Sequence, residues 1–377
     1  MRRPRVAALA ATALLLLTAL TTLAGCKRNK PPPRTRVWLG PSHACSLQKA
    51  GMLECWGAND AGQLGDRTST SRPLPAAVVN GDTPSELALG ARHTCALYAG
   101  KSIQCWGDGS RGQLGTGLTM PLSAPTLVVN WRGTPMTDAT AIAAGGDRSC
   151  ALTPDGVRCW GDGKADAEEP SGWHGAAALV AVGVGHVCAA FTEPRLLRCT
   201  GDDASGQSAG AQPILPGATL ISVAAGAKHS CVVLDDGSVQ CWGSNEHGQL
   251  GDGTTTNSRV PALVSGLPPA VEVRAGSNHT CVRLRTGTVA CWGDNRAHQL
   301  ANGTTASSSK PRPLPGLVGV AELTVGGDSA CARLADGGVR CWGANASGQL
   351  GDGTTTQHDV PMPVKAARLE PSAKPSK

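Results

Sequence analysis

Phenylalanine and tyrosine are all but missing from this chain: one of each among 377 residues, against nine tryptophans. A core packed with ordinary large aromatics is excluded, and any aromatic role falls to tryptophan. Charge is sparse too, at 16 % Asp, Glu, Lys and Arg, which argues against a disordered polyampholyte or a charge-laced helical bundle. The longest apolar run, Val6 to Leu23, is too short and too Thr-rich for a membrane span. Basic residues are scarce where a duplex would need them. The formal charge is +6, yet residues 1–36 carry eight basic residues and no acid, and residues 365–377 carry four against one, so the stretch between is net −5. Nucleic acid is therefore excluded as a partner of the body of the chain.

What is present is turn chemistry and cysteine: 49 Gly, 26 Pro and 15 Cys, the composition of a compact all-β chain. The beginning reads as an export signal, with Arg2, Arg3 and Arg5 ahead of the apolar run. It ends in Leu23-Ala24-Gly25-Cys26, which resembles a bacterial lipobox, and that resemblance implies a lipid on Cys26. The other reading is an ordinary secretory signal with an incidental cysteine. The expected organisation is a signal peptide over 1–25, a basic Pro-rich linker over 26–36, a repeat body over 37–364 and a disordered basic tail over 365–377. An exported body meets an oxidising compartment, as a membrane-anchored lipoprotein facing periplasm or cell surface.

Setting Cys26 aside, the remaining 14 cysteines form seven close pairs: Cys45 with Cys55, Cys95 with Cys105, Cys150 with Cys159, Cys188 with Cys199, Cys231 with Cys241, Cys281 with Cys291, and Cys331 with Cys341. Their first members are 50, 55, 38, 43, 50 and 50 residues apart, a period that suits propeller blades. One unit reads: apolar strand, Gly-x-x-His-x-Cys, strand, Asp-Gly turn, strand ending Cys-Trp-Gly, Gly-rich loop, Pro-flanked apolar stretch. In the fifth unit the four strands are expected at 220–224, 231–234, 239–242 and 261–264. If Asp235-Asp236-Gly237 is a three-residue hairpin loop with a left-handed glycine, Cys231 lies opposite Cys241, close to disulfide range. Seven intrablade disulfides are expected; the pairs spaced nine and eleven require different loops. Two thiols per unit without regular third and fourth ligands make no zinc site.

The Gly-x-x-His, Cys-Trp-Gly and Gly-Gln-Leu-Gly elements resemble the repeat of the regulator of chromosome condensation family. They recur at 58–65, 109–115, 244–251 and 344–351, with a looser copy at 294–300. The resemblance covers about residues 37–364 and implies a single-domain, seven-bladed β-propeller of four-stranded antiparallel blades. It also implies use of a propeller face to grip another protein, as family members do in nucleotide exchange and in β-lactamase inhibition. The cysteine pairs mark a secreted variant.

His43, His93, His186, His229 and His279 recur, but Arg148-Ser149 stands in place in repeat three and Ser329-Ala330 in the last, so a metal ring is rejected in favour of structural hydrogen bonding. The motif tryptophans Trp56, Trp106, Trp160, Trp242, Trp292 and Trp342 read as blade packing, and Thr200 replaces the seventh. The Gly-Asp-Gly-Thr-Thr-Thr loops at 251–256 and 351–356 offer one carboxylate each, too few for calcium. Departures from the repeat point to a working face: Trp131 and Arg132 in a lengthened loop of repeat two, and Glu168, Glu169, Trp173 and His174 in a shortened connection of repeat three. Neighbouring Glu168 and Glu169 point to opposite sides of an extended segment and make a poor acid/base pair. The sequence thus reads as a monomeric, lipid-anchored module for an unidentified protein partner, with no cofactor, no metal and no catalytic residues. Glycan recognition through loop tryptophans is the second reading, and an enzyme with a channel site the last. The stretch at Val364 is expected to pair near Val37–Leu39 and close the ring.

Overall fold

The computed structural model describes residues 34–79, 82–130, 132–168, 173–208 and 219–365. They form seven antiparallel sheets, each built from one contiguous stretch of chain. Six sheets have four strands and the fourth has three, Ala177–Val182, His186–Phe191 and Leu196–Gly201. In the first blade the strands are Arg34–Leu39, His43–Gln48, Leu53–Gly57 and Arg72–Ala77, ordered from the central axis outward. This is a seven-bladed β-propeller. The second strands are buried on both faces between neighbouring blades, which is why they read as unbroken runs such as His-Val-Cys-Ala-Ala-Phe. Outer strands carry Pro73, Pro75, Pro125, Pro261, Pro311 and Pro361, the residue that blocks strand addition at an open edge.

In the fifth blade the strands are Leu220–Ala225, His229–Leu234, Val239–Gly243 and Ser258–Leu263, within a few residues of expectation. Gly237 takes the left-handed conformation, φ +89°, in a three-residue turn bounded by Leu234 and Ser238, and Val233 faces Val239 just outside it. Cys231 therefore faces Cys241. By the same register Cys45 faces Cys55, Cys95 faces Cys105, Cys281 faces Cys291 and Cys331 faces Cys341. The two odd spacings are absorbed entirely in the turns. Thr153 faces Gly156 across two residues, and Phe191 faces Leu196 across four, so Cys150 still meets Cys159 and Cys188 still meets Cys199. All seven pairs are cross-strand disulfides with Cα atoms 4.0–4.1 Å apart.

Two boundaries differ from expectation. The innermost strand of blade one already begins at Arg34, whose buried side chain donates to Ser46 Oγ at 2.9 Å and sits 3.6 Å from Glu54, so Arg34 and Arg36 belong to the propeller and not to the linker. Lys365 is also part of it, its N–H bonded to Gly351 O. The ring does not close by strand pairing between Val364 and Val37–Leu39. Blade seven is complete within Val320–Pro363, and its last strand pairs only with its own third strand. Val37, Leu39 and Trp56 pack on Val339, Leu350 and Val364, and Arg34 N–H donates to Gly337 O, the same bond that Ala270 N–H makes to Gly237 O between blades five and six. A repeat period that is in phase with the chain ends leaves no strand to lend across the joint.

Neighbouring blades are latched by one repeated network. The main-chain carbonyl of the glutamine in each Gly-Gln-Leu-Gly-type loop accepts the indole N–H of the next blade's tryptophan at 2.9–3.0 Å: Gln63 from Trp106, Gln113 from Trp160, Gln207 from Trp242, Gln249 from Trp292, Gln299 from Trp342 and Gln349 from Trp56. At four joints the same carbonyl accepts a second bond, from the hydroxyl of Thr94, Ser149, Ser230 or Thr280. That hydroxyl, its proton committed, accepts from the preceding blade's histidine: His43 to Thr94 at 2.8 Å, His93 to Ser149 at 2.7 Å, His186 to Ser230 at 2.8 Å and His229 to Thr280 at 2.9 Å. The histidines are therefore Nε2–H tautomers. Their rings lie on the glycine three residues earlier, where a Cβ on Gly90 would come within 2.0 Å of His93.

The joint between blades three and four lacks every member: no glutamine loop, Arg148 for histidine, Val187 for the hydroxyl, Thr200 for tryptophan. Between blades six and seven one member alone is lost. Ala330 stands where a hydroxyl belongs, and fully buried His279 has no partner on either ring nitrogen among the described residues. Ala330→Ser restores an acceptor for His279 and a donor to Gln299 O, and should stabilise the fold by about 1 kcal/mol. Thermal or denaturant unfolding of the oxidised protein checks this; an unchanged or lowered midpoint contradicts it.

Candidate functional site

The innermost strands of the seven blades line a central channel and run from the hairpin turns on one face toward the Gly-x-x-His loops on the other. At the loop face the channel narrows to a collar in which Gly40, Gly145, Gly183, Gly226, Gly276 and Gly326 surround about 120 Å³. A Cβ on Gly145 would stand 2.3 Å from Val182 O, and one on Gly326 2.4 Å from Gly40 O, so the collar is closed by backbone that only glycine permits. Toward the hairpin face the channel opens into a cavity of about 340 Å³. It adjoins a second cavity of about 240 Å³ that shares Glu86 and Arg274 with it and is lined also by Arg36 and Glu322. Two carboxylates, Glu272 in the first and Glu322 in the second, sit between pairs of guanidiniums. Glu272 is bonded to Arg274 at 2.7 Å and Arg283 at 2.8 Å, and Glu322 to Arg36 at 3.0 Å and Arg333 at 3.1 Å. Sequence reading passed over these; the signal was the acid in an otherwise apolar innermost strand with an arginine eleven residues on.

The residues expected to form one working face are not collected into one. Trp173 is no exposed hot spot: it is buried, its ring edge-on to Phe191 with centroids 5.9 Å apart, in a cluster that fills the joint between blades three and four. The chain's one phenylalanine thus pairs with Trp173 at the hairpin-side end of the joint between blades three and four, and packing explains Trp173. Glu168 ends the outer strand Lys164–Glu168, paired with Cys159, and does not belong to a shortened loop. Arg132 lies in an exposed turn held by Asn130 Oδ1, and exposed His174 is bridged through its backbone to Gly156. Both belong to hairpin-face connections. Trp131, Glu169 and Cys26 lie outside the described residues. The glycan reading loses Trp173, one of the two loop tryptophans it relied on.

The Thr-rich loops consume their own carboxylates. Asp252 accepts from Thr254 N–H and from Asn245, and Asp352 from Thr354 and from His358 at 2.7 Å. No group of three or more His, Cys, Asp or Glu side chains able to hold a metal occurs among the described residues.

The loop face carries the charge lattice that sequence reading missed. Arg92 of blade two reaches Asp60 of blade one at 2.6 Å; Arg111 of blade two reaches Asp147 and Asp162 of blade three at 3.5 and 3.3 Å; Arg148 holds Asp162 at 2.7 Å. Beside it Leu118 and Met120 are 49 % and 52 % exposed. The turn at Gly109 packs so closely on Met120 O that a Cβ would come within 2.1 Å, which fixes this loop beside Arg111.

Burial holds the latch histidines far below the usual value of 6.5: His43 and His229 at about 3, His93, His186 and His279 at about 4. Between those values and 6.5 the unfolded chain binds protons that the folded chain refuses, so stability is full above pH 6.5 and is lost as pH falls toward 4, each histidine contributing up to about 1.4 kcal/mol per pH unit. Denaturant midpoints measured from pH 7.5 to 4.5 should decline steeply below 6.5; a flat profile contradicts the latch assignment.

Known proteins share this architecture. The RCC1-like domain model matches residues 35–375. Human WBSCR16 superposes with a TM-score of 0.74 at 22 % identity, covering 83 % of this chain and 94 % of that one. Yeast RCC1 (Prp20), solved bound to Kap60, gives 0.72 at 18 % identity over 83 % of both. Of curated sequences, 53 residues are 53 % identical to the human E3 ubiquitin-protein ligase HERC2, which is 14 % of this chain and 1 % of that one. A stretch of 67 residues is 34 % identical to Arabidopsis thaliana RUG3, a mitochondrial RCC1 domain-containing protein, 18 % of this chain and 15 % of that one. The matches thus span a small part of those relatives' length. With the family model spanning all seven blades and the fold shared over most of the chain, this protein belongs to the RCC1-like domain family.

Proposed function

We propose that this propeller is a lipid-anchored module of the cell envelope that binds another protein through the loop face of blades one to three, without catalysis. The observation that carries this reading is the conjunction of Arg92, Arg111 and Arg148, held in place by Asp60, Asp147 and Asp162, with exposed Leu118 and Met120. Arginine and methionine are enriched in protein interfaces, and side chains already fixed lose less freedom on binding. The related Prp20 has been solved together with Kap60 and characterised for binding Gsp1 and histones, which supports the propeller as a protein-binding scaffold. Those partners belong to that protein.

Residues 27–377, oxidised and immobilised, should retain one stoichiometric protein from envelope extracts. Arg111→Glu with Met120→Ser should lose it, while Arg132→Glu on the hairpin face keeps it. Equal retention by the loop-face variant overturns the assignment. The lipid anchor rests on Leu23-Ala24-Gly25-Cys26 in a bacterial host. Wild-type protein should take up labelled fatty acid and pellet with membranes, and Cys26→Ser should do neither; a labelled Cys26→Ser protein contradicts the lipobox.

A further inference from the structure

One carboxylate in the channel is not accounted for by the fold. Glu86 occupies the same register in blade two as Glu272 and Glu322 do in blades six and seven, since each faces the residue two beyond the first cysteine. There the facing residues are Arg283 and Arg333, which neutralise their glutamates; Glu86 faces Leu97. Its one hydrogen bond is Ile142 N–H to Oε2 at 3.3 Å, and no cation comes within ion-pairing distance among the described residues. Burial raises its pKa, while the fields of Arg36 and Arg274, aimed at it from across the cavity, oppose that shift.

The two arginines are themselves half used. Arg274 spends Nε on Leu323 O and Nη2 on Glu272, leaving Nη1; Arg36 spends Nε on Glu322 and reaches Ser85 O with Nη1 at 3.5 Å, leaving Nη2. Each Arg–Glu–Arg group carries one net positive charge, so the charged side of the cavity presents guanidinium donors and a separate, single carboxylate. On the opposite side, from blades four and five, Leu179 and Ile221 give an apolar wall beside Ser222, while the Ile142 side chain is committed to the interblade core. A concave site with one unspent carboxylate, unspent guanidinium donors and an apolar wall is complementary to a small molecule bearing both charges on an apolar body.

We propose that the two adjoining hairpin-side cavities of the channel form a binding site for a small apolar zwitterion, an apolar α-amino acid or dipeptide, with its ammonium on Glu86, its carboxylate on Arg274 and Arg36, and its side chain against Leu179 and Ile221. About 340 Å³ accommodates either. This site is independent of the loop face assigned to a protein partner and would stand or fall separately.

Calorimetric titration of the oxidised full propeller with leucine and with leucyl-leucine tests it, the stronger binder identifying which ligand the cavity fits. Saturable binding is expected from at least one, weakened about tenfold or more in 3-methylbutylamine, which lacks the carboxylate, and in 4-methylpentanoate, which lacks the ammonium. Glu86→Gln keeps the shape and should lose the ligand to a similar degree with an unchanged unfolding midpoint, and Leu179→Asp provides a second variant on the apolar wall. No saturation by either zwitterion, or equal binding by wild type and Glu86→Gln, overturns the proposal.

Discussion

Everything between blades depends on a single kind of acceptor, the main-chain carbonyl of the loop glutamine. A buried indole N–H has to find an acceptor, and six tryptophans find it in the blade before their own. The carbonyl points there because left-handed glycines turn the loop, Gly62 at φ +83° and Gly65 at φ +69° in blade one. A Cβ on Gly65 would stand 2.7 Å from the Trp106 nitrogen. Glycine, glutamine and tryptophan are thus one device spread over two repeats, and a blade cannot keep its tryptophan when its predecessor loses the loop. The joint between blades three and four obeys that rule: loop and tryptophan vanish together, and what packing that joint gains lies at its hairpin-side end, where Trp173 meets Phe191.

The disulfides do a different task. Each links neighbouring strands within one sheet and closes a loop of about eleven residues, which by chain entropy is worth roughly 2.5–3 kcal/mol. None crosses to another blade. Oxidation therefore stiffens hairpins, while cohesion of the ring rests on latches and interblade burial, as in other repeat arrays where stability is a sum of units and nearest-neighbour joints.

Architecture was legible in the sequence because it is periodic. Cysteines at hairpin spacing with an Asp-Gly between them fix a register, and register fixes which side chains meet; the odd spacings of Cys150 to Cys159 and Cys188 to Cys199 cost only a shorter and a longer turn. The candidate site was less legible because a departure from period looks alike whether packing or binding causes it. Trp173 could be placed only once Phe191, eighteen residues away, was known to face it. Arg34 read as linker because charge beside prolines looks solvated, whereas Glu54 and Ser46 wait for it in the next strands. The latch was readable in principle, from the joint loss of Thr200's tryptophan and the preceding Gly-Gln-Leu-Gly. The Glu86 cavity was not, because its meaning lies in an arginine that Leu97 replaces across the strand pair.

The unlatched joint also determines where this chain could be cut. Each blade is one uninterrupted segment, and the residues that end the ring, Arg34 and Lys365, already touch through a side-chain bond of 3.2 Å. Joining those ends and starting the gene instead at the connection after Glu168 would sever no latch, because none is made there. A permuted chain of this kind exchanges one covalent crossing for another and puts the break at a joint with no latch across it, whereas the native break between blades seven and one is spanned by Trp56 donating to Gln349 O.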